Sequence, residues 1–247
     1  MAIIDLKGKI ALVTGSARRV GKGIGLELAR QGMDLVIHHH GSDHEAEETA
    51  SEIRKMGRRA IIVKADLKQP DQVEQLFSEI RHHYGRLDLL VNNASSFDRV
   101  AFLDLTLEQW HRVMDTNLTG PFLCSQHAAR LMRETGTGGA IINIADLSAF
   151  HPWKSYPHHS VSKAGLVMLT EVMALSLAPD IRVNAVAPGP VLRDVNNSPE
   201  KWEQIGQRLP LKHTGDPEDV AQAVIFLATQ PYITGVTLRV DGGEALT

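Results

Sequence analysis

Ile10-Ala11-Leu12-Val13-Thr14-Gly15-Ser16-Ala17-Arg18-Arg19-Val20-Gly21-Lys22-Gly23-Ile24-Gly25 decides the fold. A compact apolar run, Ile10 to Val13, has the composition of a buried strand. It passes straight into a glycine-rich turn, and from Gly21 to Arg30 the pattern is that of a helix. Glycines suit such a turn because it is tight and its backbone must approach a pyrophosphate. The helix that follows aims its free N–H groups and positive dipole end at that anion. A glycine turn alone is a weak signal; between the first strand and the first helix of an alternating chain it is a moderately strong one.

The alternation continues outward. Leu35 to His38 reads as a second strand and Glu45 to Met56 as a charged helix. Ala60 to Lys64 is a third strand, followed by a helix over Asp71 to Tyr84 that Gly85 closes. Leu87 to Val91 is a fourth strand, and helices are expected over Leu107 to Leu118 and Phe122 to Arg133. Ala140 to Ala145 is a fifth strand, Ser162 to Leu177 a strongly apolar helix, Ile181 to Ala187 a sixth strand and Thr237 to Val240 a seventh. Continuous apolar strands separated by helices imply a parallel sheet covered on both faces. Right-handed crossovers then give an α/β, doubly wound, Rossmann-type sheet. Residues 1–247 are expected to form one domain, since no linker or repeat divides them. The longest stretch without a clear period is Leu192 to Gly215, where a lid or binding loop is expected.

Composition excludes several classes. The net charge is −3 with no strongly basic half, so nucleic acid is not expected as a partner. The one cysteine, Cys124, permits no internal disulfide and is expected in the core. No basic segment followed by an apolar one opens the chain, and no uninterrupted apolar run approaches the roughly 20 residues of a membrane span. A cytoplasmic location without membrane contact is the expectation. Metal binding is not expected. His38, His39 and His40 alternate faces along a strand, and neither His82-His83 nor His158-His159 has the spacing of a helical zinc site.

The second strand has no acid near its end before Asp43, where NAD-binding sheets usually carry one. Arg18 and Arg19 lie in the adjacent turn, and cations favour a 2′-phosphate. NADP(H) is therefore expected over NAD(H).

Several spaced motifs now fall in one order: Thr14-Gly15, Asp66, Asn92-Asn93-Ala94, Asn117, Pro188-Gly189 and Asp241-Gly242-Gly243. In this order the chain resembles the short-chain dehydrogenase/reductase family along essentially its whole length. The resemblance implies a cofactor set of Gly15, Arg18, Arg19, Val20, Gly21, His38, Ser42, Asp66, Leu67, Asn93, Ala94, Lys163, Pro188, Gly189 and Val191. Within it, Asp66 would contact adenine, the backbone from Pro188 to Val191 would hold the carboxamide, and Lys163 would grip the nicotinamide ribose. Asn117 would support a proton relay. A homotetramer is also implied, with Ser162 to Leu177 and Tyr232-Ile233-Thr234-Gly235 as interface or core.

Within that family the chain is most similar to pteridine reductases. Arg19 stands where most members have glycine, Ser95-Ser96-Phe97 follows the asparagine motif, and Asp146 stands at the usual catalytic serine. Phe97 would stack a flat heterocycle, or pack on the sheet edge. Ser95 belongs to the same substrate wall. Asp146 would pair with ring and amino N–H groups, or cap a helix.

One position departs from the family. Its catalytic tyrosine precedes the lysine by four residues, and here that place is His159. The spacing from Asp146 to His159 matches the family's serine-to-tyrosine interval, so the register holds. Hydride transfer to C=O or C=N needs a proton donor beside the acceptor atom. Four readings follow: His159 donates; Asp146 donates while His159 positions; Tyr156 swings in; or the chain binds cofactor and reduces little. The functional readings are a pterin-like reductase using Asp146, His159, Lys163 and Asn117, an ordinary ketone or 3-oxoacyl reductase, or a cofactor-binding scaffold.

Overall fold

The apolar runs become seven strands in a computed structural model that describes residues 2–193 and 197–247. They are β1 (Ile10–Val13), β2 (Asp34–His39), β3 (Ala60–Lys64), β4 (Leu89–Asn92), β5 (Gly139–Ile144), β6 (Ile181–Pro188) and β7 (Thr237–Val240). The helices are α1 (Arg19–Arg30), α2 (Asp43–Lys55), α3 (Pro70–Tyr84), α4 (Leu107–Met114), α5 (Gly120–Glu134), α6 (Pro157–Leu177), α7 (Pro199–Arg208) and α8 (Pro217–Thr229). All seven strands pair in parallel, in the order β3-β2-β1-β4-β5-β6-β7. The order reverses beside β1, where Leu12 lies opposite Val36 of β2 and Leu90 of β4. A crevice opens at such a reversal, beyond the carboxyl ends of the strands.

Side chains alternate across each strand, and the sheet therefore builds two cores. Ala11, Val13, Leu35, Ile37 and Val91 meet α1, α2 and α8 on one face. Ile10, Leu12, Val36, Leu90 and Ile141 meet α3, α5 and α6 on the other. Strands buried on both faces read as continuous apolar runs for this reason. Cys124 is buried in the second core, as its setting suggested, and burial pushes its thiol up to about 12.

Four departures from the sequence reading matter for the site. The helix expected from Ser162 begins at Pro157, since proline fits a first helical position. His158 and His159 thus lie in its first turn. The expected loop Leu192 to Gly215 contains α7, capped by Ser198, whose side chain accepts from Lys201 N–H; residues 194–196 lie outside the described residues. The sequence reading assigned nothing to α8, yet Asp216-Pro217-Glu218-Asp219 forms a reciprocal capping box there. The expected helix to Leu118 changes pitch at Asp115–Thr119, a single π-helical segment that carries Asn117.

A further correction concerns α6. It has 21 residues, and an 18-residue stretch of it with a mean hydropathy of 1.4 is long and apolar enough to cross a membrane by length and composition. Counting only uninterrupted apolar residues hid this, because His158, His159, Lys163 and Glu171 interrupt the run. In the fold, Met173 and Ala174 pack into the second core. Val161, Met168, Val172 and Leu175 form an outward apolar stripe.

Because Asp216 satisfies two free N–H groups of α8, Asp216→Ala should lower unfolding stability by about 1 kcal/mol. Urea denaturation at neutral pH measures this; an unchanged midpoint would show the cap to be idle.

Candidate functional site

The crevice at the sheet reversal is a cleft of about 1030 Å³. At its floor is the glycine turn. Gly15 has φ 64°, a conformation that glycine adopts without penalty. Gly21 lies so close to the turn that a Cβ there would sit 2.3 Å from Gly15 O. Arg19 has φ 57° with a full side chain, a strain of about 1 kcal/mol. Arg18, Arg19, Val20 and Gly21 all line the cleft beside the start of α1. A backbone this bare, at a helix N-terminus, fits a pyrophosphate.

The turn is held from both sides. From β4, Asn93 Nδ2 donates to Thr14 O at 2.8 Å and Gly15 O at 3.2 Å. Thr14 Oγ1 accepts the backbone N–H groups of Asn93 and Ala94. From β2, His38 Nδ1 accepts the Gly15 N–H at 3.0 Å, and its Nε2 lies 3.1 Å from Ala65 O. Those partners fix the tautomer, with the proton on Nε2. Burial pushes the His38 imidazole down to about 4. His38 therefore lines the cleft with both nitrogens already engaged inside the protein, and the neighbouring His39, which sequence reasoning passed over, has the free nitrogen.

Farther along the cleft lies a polar corner built by β5 and α6. Asp146 lies two residues beyond the end of β5, and α6 carries His159 and Lys163 one turn apart. His159 Nε2 lies 2.5 Å from Asp146 Oδ2. Asp146 Oδ1 accepts from Ser148 N–H at 2.8 Å and from its hydroxyl at 2.5 Å. The cap reading and the pairing reading of Asp146 both hold, each on a different oxygen. Burial pushes the Asp146 carboxyl up, but its His159 hydrogen bond and the Lys163 charge outweigh that and hold it below the usual range. Lys163 Nζ donates to Ile144 O at 2.7 Å. Burial pulls its ammonium down, with Asp146 opposing.

Behind His159 stands Asn117, fully buried in the π-helical segment. Its Nδ2 lies 3.3 Å from His159 Nδ1 and donates to Ser96 O and Ser162 Oγ. Its Oδ1 accepts from the Ser95 hydroxyl and the Ser96 N–H. His159 Nδ1 is also 3.2 Å from Ser96 O. Phe97 lines the cleft with its ring perpendicular to that of His159 at 4.7 Å, and one face is stacked on Tyr156 at 4.2 Å. Trp153 lies parallel to the His159 ring at 6.0 Å.

The remaining expected residues divide. Ser42, Asp66, Leu67, Ala94, Ser95 and Pro188 line the cleft. Val191 is packed in the first core, and a Cβ on Gly189 would meet Asp241 at 2.9 Å; the resemblance assigns both to the cofactor through their backbone, not their side chains. Sequence reasoning missed His39, Glu45, Lys68, Arg112 and Trp202, which also line it. The position of His39 one residue from His38 was visible, but which ring faced the turn was not.

Comparison with known proteins agrees with this fold. A family model described as Enoyl-(Acyl carrier protein) reductase matches residues 15–244. The chain is 40% identical to L-rhamnose 1-dehydrogenase (NAD(P)(+)) of Azotobacter vinelandii, covering 98% of each chain. It is 39% identical to the 3-oxoacyl-[acyl-carrier-protein] reductase of a Synechocystis strain, again over 98% of each. A crystal structure of a short-chain type dehydrogenase/reductase from Mycobacterium marinum superposes with a TM-score of 0.89 at 36% identity, covering 97% of this chain and 96% of that one.

The His38 clamp carries a pH signature. Its folded-state value, about 4, lies below the ordinary imidazole value of about 6.5. Its stabilisation is therefore complete above 6.5 and is lost as pH falls toward 4. Between pH 7.5 and 5.0 this amounts to about 2 kcal/mol. Denaturant unfolding at both pH values should show this loss in the native chain and a smaller loss in His38→Gln. Parallel losses in the two proteins would remove His38 as the acid-labile clamp.

Proposed function

Because the chain belongs to the short-chain dehydrogenase/reductase family, we propose that it is an NADP(H)-dependent oxidoreductase acting on a flat, pterin-like C=O or C=N substrate, with His159 in the tyrosine's role. Family membership gives an oxidoreductase using NAD(P)(H). The observation that carries the finer reading is the 2.5 Å pair of His159 and Asp146 on the cleft wall.

When bound, NADP(H) supplies or accepts the hydride. The glycine turn and Asn93 hold the backbone open for its pyrophosphate, and Arg18 and Arg19 bring positive charge to that end. Lys163, anchored on Ile144 O, would grip the nicotinamide ribose, as the family resemblance implies.

The proton is the chain's own work. As imidazolium, His159 donates Nε2–H to Asp146 and Nδ1–H to Ser96 O. Once Nε2 gives its proton to a substrate heteroatom, the Nδ1–H bond to Ser96 O still holds the ring. In the other neutral tautomer Nδ1 accepts from Asn117 Nδ2 instead. The imidazolium thus has an acceptor for each N–H, whereas loss of the Nε2 proton leaves that nitrogen's lone pair facing the Asp146 carboxylate, which favours its reprotonation and so suits a general acid that is recharged after each turnover. Tyr156 is committed to the face of Phe97, which favours His159 over it as donor. Asp146 keeps about one acceptor site beyond its three bonds, since a carboxylate offers about four. That site suits one N–H group of a pterin, and the face of Phe97 away from Tyr156 suits its ring.

A second reading, a ketone or 3-oxoacyl reductase, is favoured by the likeness to the Synechocystis reductase. Here Phe97 would only pack. We also propose a homotetramer in the cytoplasm: Val161, Met168, Val172 and Leu175 offer an apolar stripe for a second copy, and the buried lone cysteine suits a reducing compartment. Sedimentation should show a tetramer that Leu175→Glu weakens; a monomeric native chain overturns that assignment.

The deciding experiment follows NADPH oxidation with dihydropterin and oxidised pterins beside simple ketones and diketones. Turnover on pterins, falling about 100-fold or more in His159→Phe, is the expected result. Turnover on ketones alone selects the second reading. NADPH binding without any turnover selects a cofactor-binding scaffold.

A further inference from the structure

Three consecutive imidazoles close β2, and each has a different environment. His38 is engaged at both nitrogens. His39 is only 4% exposed, and its Nδ1 is buried with no hydrogen-bond partner, yet the residue lines the cleft. His40 is exposed, with Nε2 4.0 Å from Asp66 Oδ2. Ser42 and Glu45, at the start of α2, line the same end, as does Arg18 from the glycine turn. A buried polar atom without a partner is costly, and here it borders a ligand cleft. In open sheets of this type the end of the second strand meets the 2′ position of the adenosine ribose.

We infer that His39 and His40 make the choice between NADP(H) and NAD(H) depend on pH: protonated, they bind the 2′-phosphate; neutral, they leave Glu45 to accept the 2′-hydroxyl of NAD(H). The inference rests on the cofactor placement proposed above. It uses histidines because they change charge between about pH 5 and 8. Around His39 stand Asp43 and Glu45 from α2, Lys64 from β3 and His40 from its own strand end. Burial holds the His39 imidazole below its usual range; Lys64 and His40 act in the same direction, and Asp43 and Glu45 oppose them. Near His40, Asp66 is shared with Lys68, whose Nζ lies 3.4 Å away. A phosphate placed among these groups favours the charged imidazoles, so NADP(H) binding takes up protons and NAD(H) binding does not.

The sign of the effect is diagnostic. A phosphate monoester loses its second proton near about pH 6. Fixed cations alone would therefore bind NADPH more tightly as pH rises through that value. Titrating histidines give the opposite trend.

Calorimetric titration of the full chain with NADPH and with NADH, between about pH 6 and pH 8, tests this. The NADPH Kd should weaken by about tenfold or more relative to the NADH Kd. In buffers of different ionisation enthalpy, NADPH alone should show proton uptake. His39→Gln and His40→Gln should each flatten the trend, and the double variant should abolish it. A Kd ratio that is constant or moves the other way overturns the inference, as does a trend that survives in the double variant. A constant ratio that favours NADPH would leave the NADP(H) assignment standing and remove only the histidine gate. A constant ratio that favours NADH, or binding of neither, would remove both.

Discussion

One hydrogen-bonded clamp around the β1 turn conditions everything else in the cleft. Thr14 and Gly15 are gripped by Asn93 and Ala94 from β4 and by His38 from β2. These are the strands on either side of β1, so the clamp spans the point where strand order reverses. A tight turn with bare N–H groups pointing outward would otherwise be a floppy loop. Net, each of its hydrogen bonds is worth only about 1 kcal/mol. Their joint effect is geometric: they fix the donors that face an anion before one arrives.

The polar corner is organised by the same economy of groups. Asp146 serves the backbone with one oxygen and His159 with the other. Removing either partner would leave a buried charge or an unsatisfied donor, which costs more than the bond itself contributes. Asn117 is placed by a local change of helical pitch, so its amide meets Ser95, Ser96, Ser162 and His159 at once. A regular helix through Asp115–Thr119 would turn that side chain elsewhere.

The sequence revealed the parts of this arrangement that have a period or a motif. Strands buried on both faces announced themselves as apolar runs, and the glycine turn announced the phosphate end. Asp146, His159 and Lys163 were singled out by the family resemblance, and the structure brings them together. What stayed illegible depended on direction or on three-dimensional averaging. Whether His38 or His39 faced the turn is a matter of strand register, which a run of identical residues conceals. The start of α6 was missed because two polar histidines precede its apolar stretch. Helix α8 is apolar nearly all round and shows little period, although Asp216 and Asp219 marked its start. Glu45 and Arg112 reach the cleft from neighbouring elements, and no local pattern signals that.

The clamp also says something about when the site comes into being. Asn93 bonds to residues 79 and 78 positions earlier, whereas His38 is only 23 positions from Gly15. Contacts of large sequence separation form late, because the intervening chain must close a long loop first. During synthesis from the N-terminus, a chain that has extended only through β3 holds every glycine of the turn but lacks half of its restraints. The cofactor cleft is thus assembled with the central pair of strands rather than with its own sequence motif, and a ligand in the cleft would stabilise the β1–β4 junction above all other parts of the sheet.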